Sequence, residues 1–266
     1  MAEALSGERG TWATTILVDS MQVYREIPVM TNQARARPAE LSGVVSVAEE
    51  WTVARHKESA EGIIDSLPPG LPFVLDAGTG MYLNALILDI PLAPKVPDEV
   101  RAQAEGLVAG AENPRREARR LELELSGDPE RGSIWDGELL YEAAFFYLRP
   151  PRHVLDRNIS TRSSRIVRDG AEEARHLEKS GNVPNPSVRE AIGVREMLLH
   201  VSGELPADLA EEAIAARTRR LARRQIRWFD KLVRTLQVRH PATRVLSLES
   251  PNQEKIKHLM HDIIGR

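Results

Sequence analysis

Two short apolar runs, each ending in a polar or glycine-rich turn, constrain the fold of this chain more than any other feature. Thr14-Thr15-Ile16-Leu17-Val18 is β-branched and apolar without alternation, the pattern of a strand buried on both faces of a parallel sheet. It runs into Asp19-Ser20-Met21-Gln22. Phe73-Val74-Leu75 repeats the pattern and is followed by Gly78-Thr79-Gly80, which opens a helix predicted over 81–88. Between the two lies a helix predicted over 46–67, with Ser46 and Glu49 spaced as a capping box and Pro68-Pro69-Gly70 as its stop. Strands alternating with helices predict an α/β fold with a parallel sheet.

The pattern changes further on. Residues 28–43 read as loop. Residues 97–149 read as helices with polar faces and no strand, and His153-Val154-Leu155 as a strand returning to the sheet. Helices are predicted over about 160–180, 187–202 and 207–237, with a short one after Pro251. The opening residues 1–5 read as the end of a helix, and Gly7 to Gly10 as the turn after it. The expected division is a core of 1–96 and 152–266, interrupted by a helical insertion at 97–151. The chain's 266 residues are enough for one core and a small insertion.

Charge and composition limit the function classes. No apolar run reaches the roughly 18–20 residues that a membrane-spanning helix requires. With no cysteine, disulfides and thiolate metal sites are excluded, and a cytoplasmic protein is expected. The net charge of −3 leaves nucleic-acid binding to a local patch. Only 6 of 36 basic residues are lysine, so an arginine cluster is in part a habit of the whole chain.

Asp19 falls where a buried strand ends. Ligands of open α/β sheets bind outside the carboxyl ends of the strands, so its carboxylate is placed for chemistry, although a turn or N-cap aspartate would read the same. Thr79 lies in a Gly-Thr-Gly turn at a helix start, where backbone N–H groups suit an anion or simply form a cap. Arg220, Arg223, Arg227, Lys231 and Arg234 recur at spacings of three and four, on one face of the last long helix. Leu221, Trp228 and Leu232 lie about a third of a turn away. That face is either a solvated charged surface or a phosphate-binding stripe.

Four blocks, in order, carry a resemblance: Asp19-Ser20-Met21-Gln22-Val23-Tyr24, Ala77-Gly78-Thr79-Gly80-Met81-Tyr82-Leu83, Ala191-Ile192-Gly193-Val194-Arg195-Glu196, and Thr218-Arg219-Arg220-Leu221-Ala222-Arg223-Arg224-Gln225-Ile226-Arg227-Trp228. Together they are similar to the tRNA dimethylallyltransferases (tRNA isopentenyltransferases). The resemblance implies transfer of a dimethylallyl group from dimethylallyl diphosphate to the exocyclic amine of the adenosine next to the anticodon. It implies Asp19 as general base and Thr79 as the hydroxyl beside the reacting bond. Ser20, Met21 and Gln22 would line the nucleotide. Arg101, Gly193, Arg195, Arg220, Arg223, Arg224 and Arg227 would contact tRNA, with Thr79 and Arg195 also at the diphosphate. Mg²⁺ is the implied cofactor, and a monomer bound to the anticodon stem-loop the implied working form.

The family's first strand and its G-x-x-x-x-G-K-[ST] loop have no counterpart in this sequence. The expectation is therefore a P-loop nucleotide-kinase-like parallel sheet flanked by helices, with that strand and loop missing. An open edge beside Thr14 to Val18 and weak diphosphate binding would follow. Other departures are Asp76 and Ala77 before the Gly-Thr-Gly turn, Glu190 and Val194 around Gly193, and Leu139 and Glu142 where the insertion normally carries arginines. Asp76 would repel a diphosphate if it faces the site, Ala77 would be strained if its position needs a positive φ, and Leu139 and Glu142 would weaken the grip on tRNA. Two other readings are an inactive RNA-binding homologue and a remnant of a small-molecule P-loop kinase.

Overall fold

The computed structural model describes residues 13–90, 92, 96–108, 114–126 and 133–250. Readings that concern 1–12 or the stretch after Pro251 lie outside them. The chain forms two compact units, Met1–Leu86 with Tyr141–Arg266, and Ile87–Leu140.

In the larger unit, β1 (Thr14–Val18) and β2 (Phe73–Ala77) pair in parallel, with Thr14 opposite Phe73 and Val18 opposite Ala77. This register brings the ends of both strands, and so Asp19 and Gly78, out side by side. Ile16, Leu17 and Val18 are buried, as the unbroken apolar run predicts. The other edge of β1 is not open. Leu17 N donates to Glu40 O at 3.0 Å and Glu40 N to Thr15 O at 2.8 Å, so a loop residue covers it.

A second parallel pair joins β3 (Ala144–Leu148) to β4 (Arg244–Leu248). Among the described residues the strands form two two-stranded sheets rather than one continuous sheet. Strand β3 corrects the reading of 97–149 as strandless. Its Ala-Phe-Phe-Tyr-Leu run is aromatic enough for a strand but is flanked by charged stretches that hide it.

Helix α1 (Val53–Ser66) starts later than predicted, capped by Thr52, whose side chain accepts from Arg55 N at 3.2 Å. The Ser46–Glu49 pairing does exist, with Ser46 N donating to Glu49 Oε1 at 2.9 Å, but it closes a turn ahead of the helix. Helix α2 spans Gly80–Ile87. In the smaller unit, α3 (Asp98–Leu107) packs on α4 (Pro114–Leu125) through Ala104, Val108, Ala118 and Leu121. There Leu88 and Leu139 form an isolated antiparallel bridge, and Asp89 N donates to Glu138 O at 2.8 Å.

His153 to Leu155 belong to α5 (Arg152–Asp169), not to a strand. Pro151 is its N-cap, and Leu155 packs with Ile159 of the same helix and with Ala215 and Ala222 of the long helix over 207–239. Gly170 is the C-cap of α5, where a side chain would strike the Ile166 carbonyl, and α6 (Ala171–Lys179) follows. The helix predicted over 187–202 is likewise two, α7 (Pro186–Arg189) and α8 (Val194–Val201), broken at Gly193 with φ +94°. The long helix α9 (Ala207–Arg239) matches its prediction to within two residues.

Candidate active site at the ends of β1 and β2

Asp19 leaves β1 into a tight turn. Its Oδ1 accepts from Met21 N at 2.8 Å and Gln22 N at 3.2 Å. These bonds fix the carboxylate and leave Oδ2 facing Thr79, whose hydroxyl donates to it at 3.4 Å. The same hydroxyl accepts from Ser20 N at 3.1 Å and lies 3.4 Å from Ser20 Oγ. From the other strand, Gly78 N and Thr79 N both donate to Val18 O at 3.1 Å. The two turns are thus laced together at the carboxyl ends of a parallel pair. Burial pushes the Asp19 carboxyl above its ordinary value, while the Met21 and Gln22 N–H groups, the Thr79 hydroxyl and the charge of Arg162 pull the other way.

The glycines of the second turn are required by close approach. A Cβ on Gly78 would overlap Asp19 Oδ2, and one on Gly80 would overlap the Trp228 ring. Helix α9 supplies the clamp. Gln225 Nε2 donates to Gly78 O at 2.7 Å, and Trp228 Nε1 donates to the buried Asn84 Oδ1 at 3.2 Å. Sequence reasoning singled out the arginines of this block but gave Gln225 no role and saw in Trp228 only packing. The signal was present: Leu221, Gln225, Trp228 and Leu232 follow one another at spacings of four, three and four, about a third of a turn from the basic stripe.

Two expected faults are absent. Arg35 pairs with Asp76 and donates through Nη2 to Gln22 Oε1 at 2.6 Å, so the extra carboxylate is neutralised and its partner steadies Gln22. Ala77 is a β2 residue and is not among the non-glycine residues at positive φ, so it carries no strain.

The loop after Asp19 is held from behind. Glu173 accepts from Val29 N at 2.6 Å and Met30 N at 3.0 Å, which offsets the burial that raises its pKa. Asn185 donates to Tyr24 Oη at 3.1 Å and Val47 O at 3.0 Å.

Among the described residues of the larger unit, no hydrogen bond or ion pair joins Gly193, Arg195 or the α9 arginines to this pair. Gly193 is buried, and its N–H donates to Glu196 Oε2 at 2.9 Å; Arg217 Nη1 reaches the other oxygen at 2.6 Å. Gly193 therefore shapes the entry of α8, with buried Val194 beside it. Arg195 is exposed and pairs with Glu190 at 3.3 Å. In the smaller unit, Arg101 stands 3.9 Å from the buried Glu122, which also pairs with Arg119. Arg220, Arg223, Arg224 and Arg227 are exposed on α9, and no ion pair joins them to a described carboxylate.

Mg²⁺ does not fit the described protein groups alone. Among them no group of three or more His, Asp or Glu side chains stands together, and Asp19 already accepts from two backbone N–H groups and a hydroxyl.

The family described as IPP transferase matches residues 22–122 and 108–232. A tRNA dimethylallyltransferase of Rubrobacter xylanophilus is 59% identical, over 100% of this chain and 92% of that protein. That of Phenylobacterium zucineum is 32% identical, over 85% and 84%. The full-length tRNA isopentenylpyrophosphate transferase of Bacillus halodurans has the same fold, with TM-score 0.69 at 23% identity, covering 99% of this chain and 90% of its own. A eukaryotic dimethylallyltransferase acting on tRNA superposes with TM-score 0.70 at 20% identity, over 98% and 73%. The two lowest identities speak for fold alone, but the family match and the two sequence relatives span most of the molecule: the chain belongs to the IPP transferase family.

Proposed function

We propose that this chain is a tRNA dimethylallyltransferase that modifies the exocyclic amine of the adenosine next to the anticodon, with dimethylallyl diphosphate as donor. The observation that carries the reading is the Asp19–Thr79 pair at the carboxyl ends of β1 and β2, in a member of this family. The amine nitrogen attacks the allylic carbon as that carbon's bond to the diphosphate oxygen breaks. The bonding electrons leave with the diphosphate, and the amine proton passes to Asp19 Oδ2. A carboxylate whose burial raises its proton affinity, yet whose Oδ1 is held by two N–H groups, suits that task. Thr79 holds the receiving oxygen in place and stands beside the reacting bond.

Around this pair, Ser20, Met21 and Gln22 line the nucleotide, and Arg195 meets the diphosphate or the RNA backbone. Arg101, Arg220, Arg223, Arg224 and Arg227 contact tRNA, Gly193 shapes the entry of α8 that carries Arg195, and the smaller unit, Ile87–Leu140, is the tRNA-facing insertion. The chain acts as a cytoplasmic monomer. Mg²⁺ accompanies the diphosphate and would draw its ligands mainly from the phosphates.

Single-turnover transfer to an anticodon stem-loop RNA tests this. Asp19→Asn keeps the acceptor for Met21 and Gln22 but cannot take the proton, and should slow transfer by about 10²–10⁴ with little loss of stability. An unchanged rate would overturn the base assignment. No transfer by the unaltered chain, with salt-dependent RNA binding, would favour the inactive RNA-binding reading. Absence of both would favour the kinase remnant.

A further inference from the structure

Arg35, in the loop after Asp19, bridges the two strand ends. Its Nη1 pairs with Asp76 of β2, and its Nη2 donates to Gln22 Oε1 at 2.6 Å. Asp76 stands opposite Leu17 in the β1–β2 register, two residues before Gly78. The Gln22 backbone is fixed as well: its N–H donates to Asp19 Oδ1 at 3.2 Å, and its carbonyl accepts from Gly43 N at 3.0 Å. The side chains of Arg35 and Asp76 are 27% and 49% exposed, so their pairing adds little to stability. What it fixes is an orientation. A guanidinium carries donors only, so the Gln22 amide must turn its oxygen towards Arg35 and its NH₂ away. No described residue accepts a hydrogen bond from that Nε2.

We infer that Arg35, anchored by Asp76, is a positioning residue that makes Gln22 a hydrogen-bond donor to the adenine held at Asp19. An amide that turns freely offers its donors or its acceptor to a base edge with equal ease. One whose oxygen is held by a planar fork presents its N–H groups. The adenine atoms that match a donor are N1 and N7, the ring acceptors on either side of the exocyclic amine. A contact at either would hold that amine in register with Asp19 Oδ2, three residues back along the same turn. Asp76, which the family pattern does not call for, thereby acts through Arg35 on the base contact. This role rests on the reading of Asp19 as the base that receives that adenosine.

The test uses anticodon stem-loop RNAs with adenosine, 1-deazaadenosine or 7-deazaadenosine at the acceptor position. Affinity and single-turnover transfer are measured for the full-length unaltered chain, Gln22→Ala and Arg35→Met. Position 35 is exposed, so Arg35→Met should fold normally while losing every donor. Replacing a ring nitrogen by C–H alters the base in the same way for all three proteins, so the difference between proteins reads the contact. The expected result is that one deaza RNA binds the unaltered chain about tenfold more weakly than the adenosine RNA. That penalty should vanish in Gln22→Ala and fall to about two- to threefold in Arg35→Met, whose amide faces the base correctly only part of the time. A penalty confined to the 1-deaza RNA assigns N1, and one confined to the 7-deaza RNA assigns N7. No penalty in the unaltered chain, or a full penalty kept in Arg35→Met, overturns the role of Arg35, even where transfer proceeds. If the affinities follow the expected pattern but the unaltered chain transfers no prenyl group, the positioning role stands and the functional reading falls.

Discussion

At the scale of single residues, the site depends on the absence of two side chains. Gly78 leaves room for Asp19 Oδ2 and Gly80 for the indole of Trp228. The glycine at position 80 opens α2 and is needed for space, not for backbone freedom, since Gly80 is not among the glycines at positive φ. Gly80→Ala should therefore act as overpacking, at a cost of about 1–3 kcal/mol, and should push Trp228 off Asn84. Urea denaturation measures the cost, and tryptophan fluorescence the displacement. Because the clash has one partner, Gly80→Ala combined with Trp228→Leu should cost less than the sum of the two single changes. Strictly additive costs would mean that the turn, not the indole, gives way.

At the scale of elements, α9 divides its work by face. Gln225 and Trp228 hold the Gly78–Gly80 turn, while Arg220, Arg223 and Arg227 face solvent. If that stripe meets RNA, replacing all three by glutamine should lower the log–log salt slope of stem-loop binding by about 0.7–0.9 per lost contact. An unchanged slope, read by fluorescence anisotropy over a salt series, would leave the stripe a solvated surface. This helix was legible in the sequence because its apolar period runs unbroken for many turns. Strand β1 was legible because burial on both faces leaves an unbroken apolar run. The start of α1 was misplaced because Glu49 accepts from Ser46 N in a turn as it would in a cap, while Glu49 N donates to the Ser46 carbonyl rather than to its hydroxyl. Strand β3 was missed because what makes it a strand is a partner about a hundred residues away, β4. Asp19 and Thr79 were found through adjacent motif residues, whereas the joining of Arg162 to their neighbourhood is a tertiary fact. Arg35 cancelling Asp76 is another, and no local pattern announces it.

At the scale of the whole molecule, the wall behind the site contains a group that should set its acid limit. His56 is fully buried on α1 between Trp51 and Tyr82. Its Nδ1 accepts from Trp51 Nε1 at 3.2 Å, which assigns the ring proton to Nε2. A second proton would have to sit on Nδ1 and face that indole N–H, and burial brings the His56 pKa down to about 4. A histidine with a depressed folded pKa contributes stability that is present above its unfolded value near 6.5 and is lost as pH falls towards 4. The full span of that window corresponds to about 3 kcal/mol. Asp19 and Glu173 act in the opposite sense, because burial raises their pKa values and their protonation favours the folded state. The His56 contribution must therefore be isolated by difference. His56→Leu should be less stable at pH 7, because Trp51 loses its acceptor, by about 1–3 kcal/mol. Its deficit relative to the unaltered chain should shrink as pH falls from 6.5 to 4.5, since only the unaltered chain pays for protonating the imidazole. Urea denaturation of both proteins at half-unit pH steps measures this, and subtraction removes the titrations they share. A deficit constant across that range would show that the imidazole protonates in place, and that the acid limit of the fold lies in its carboxylates.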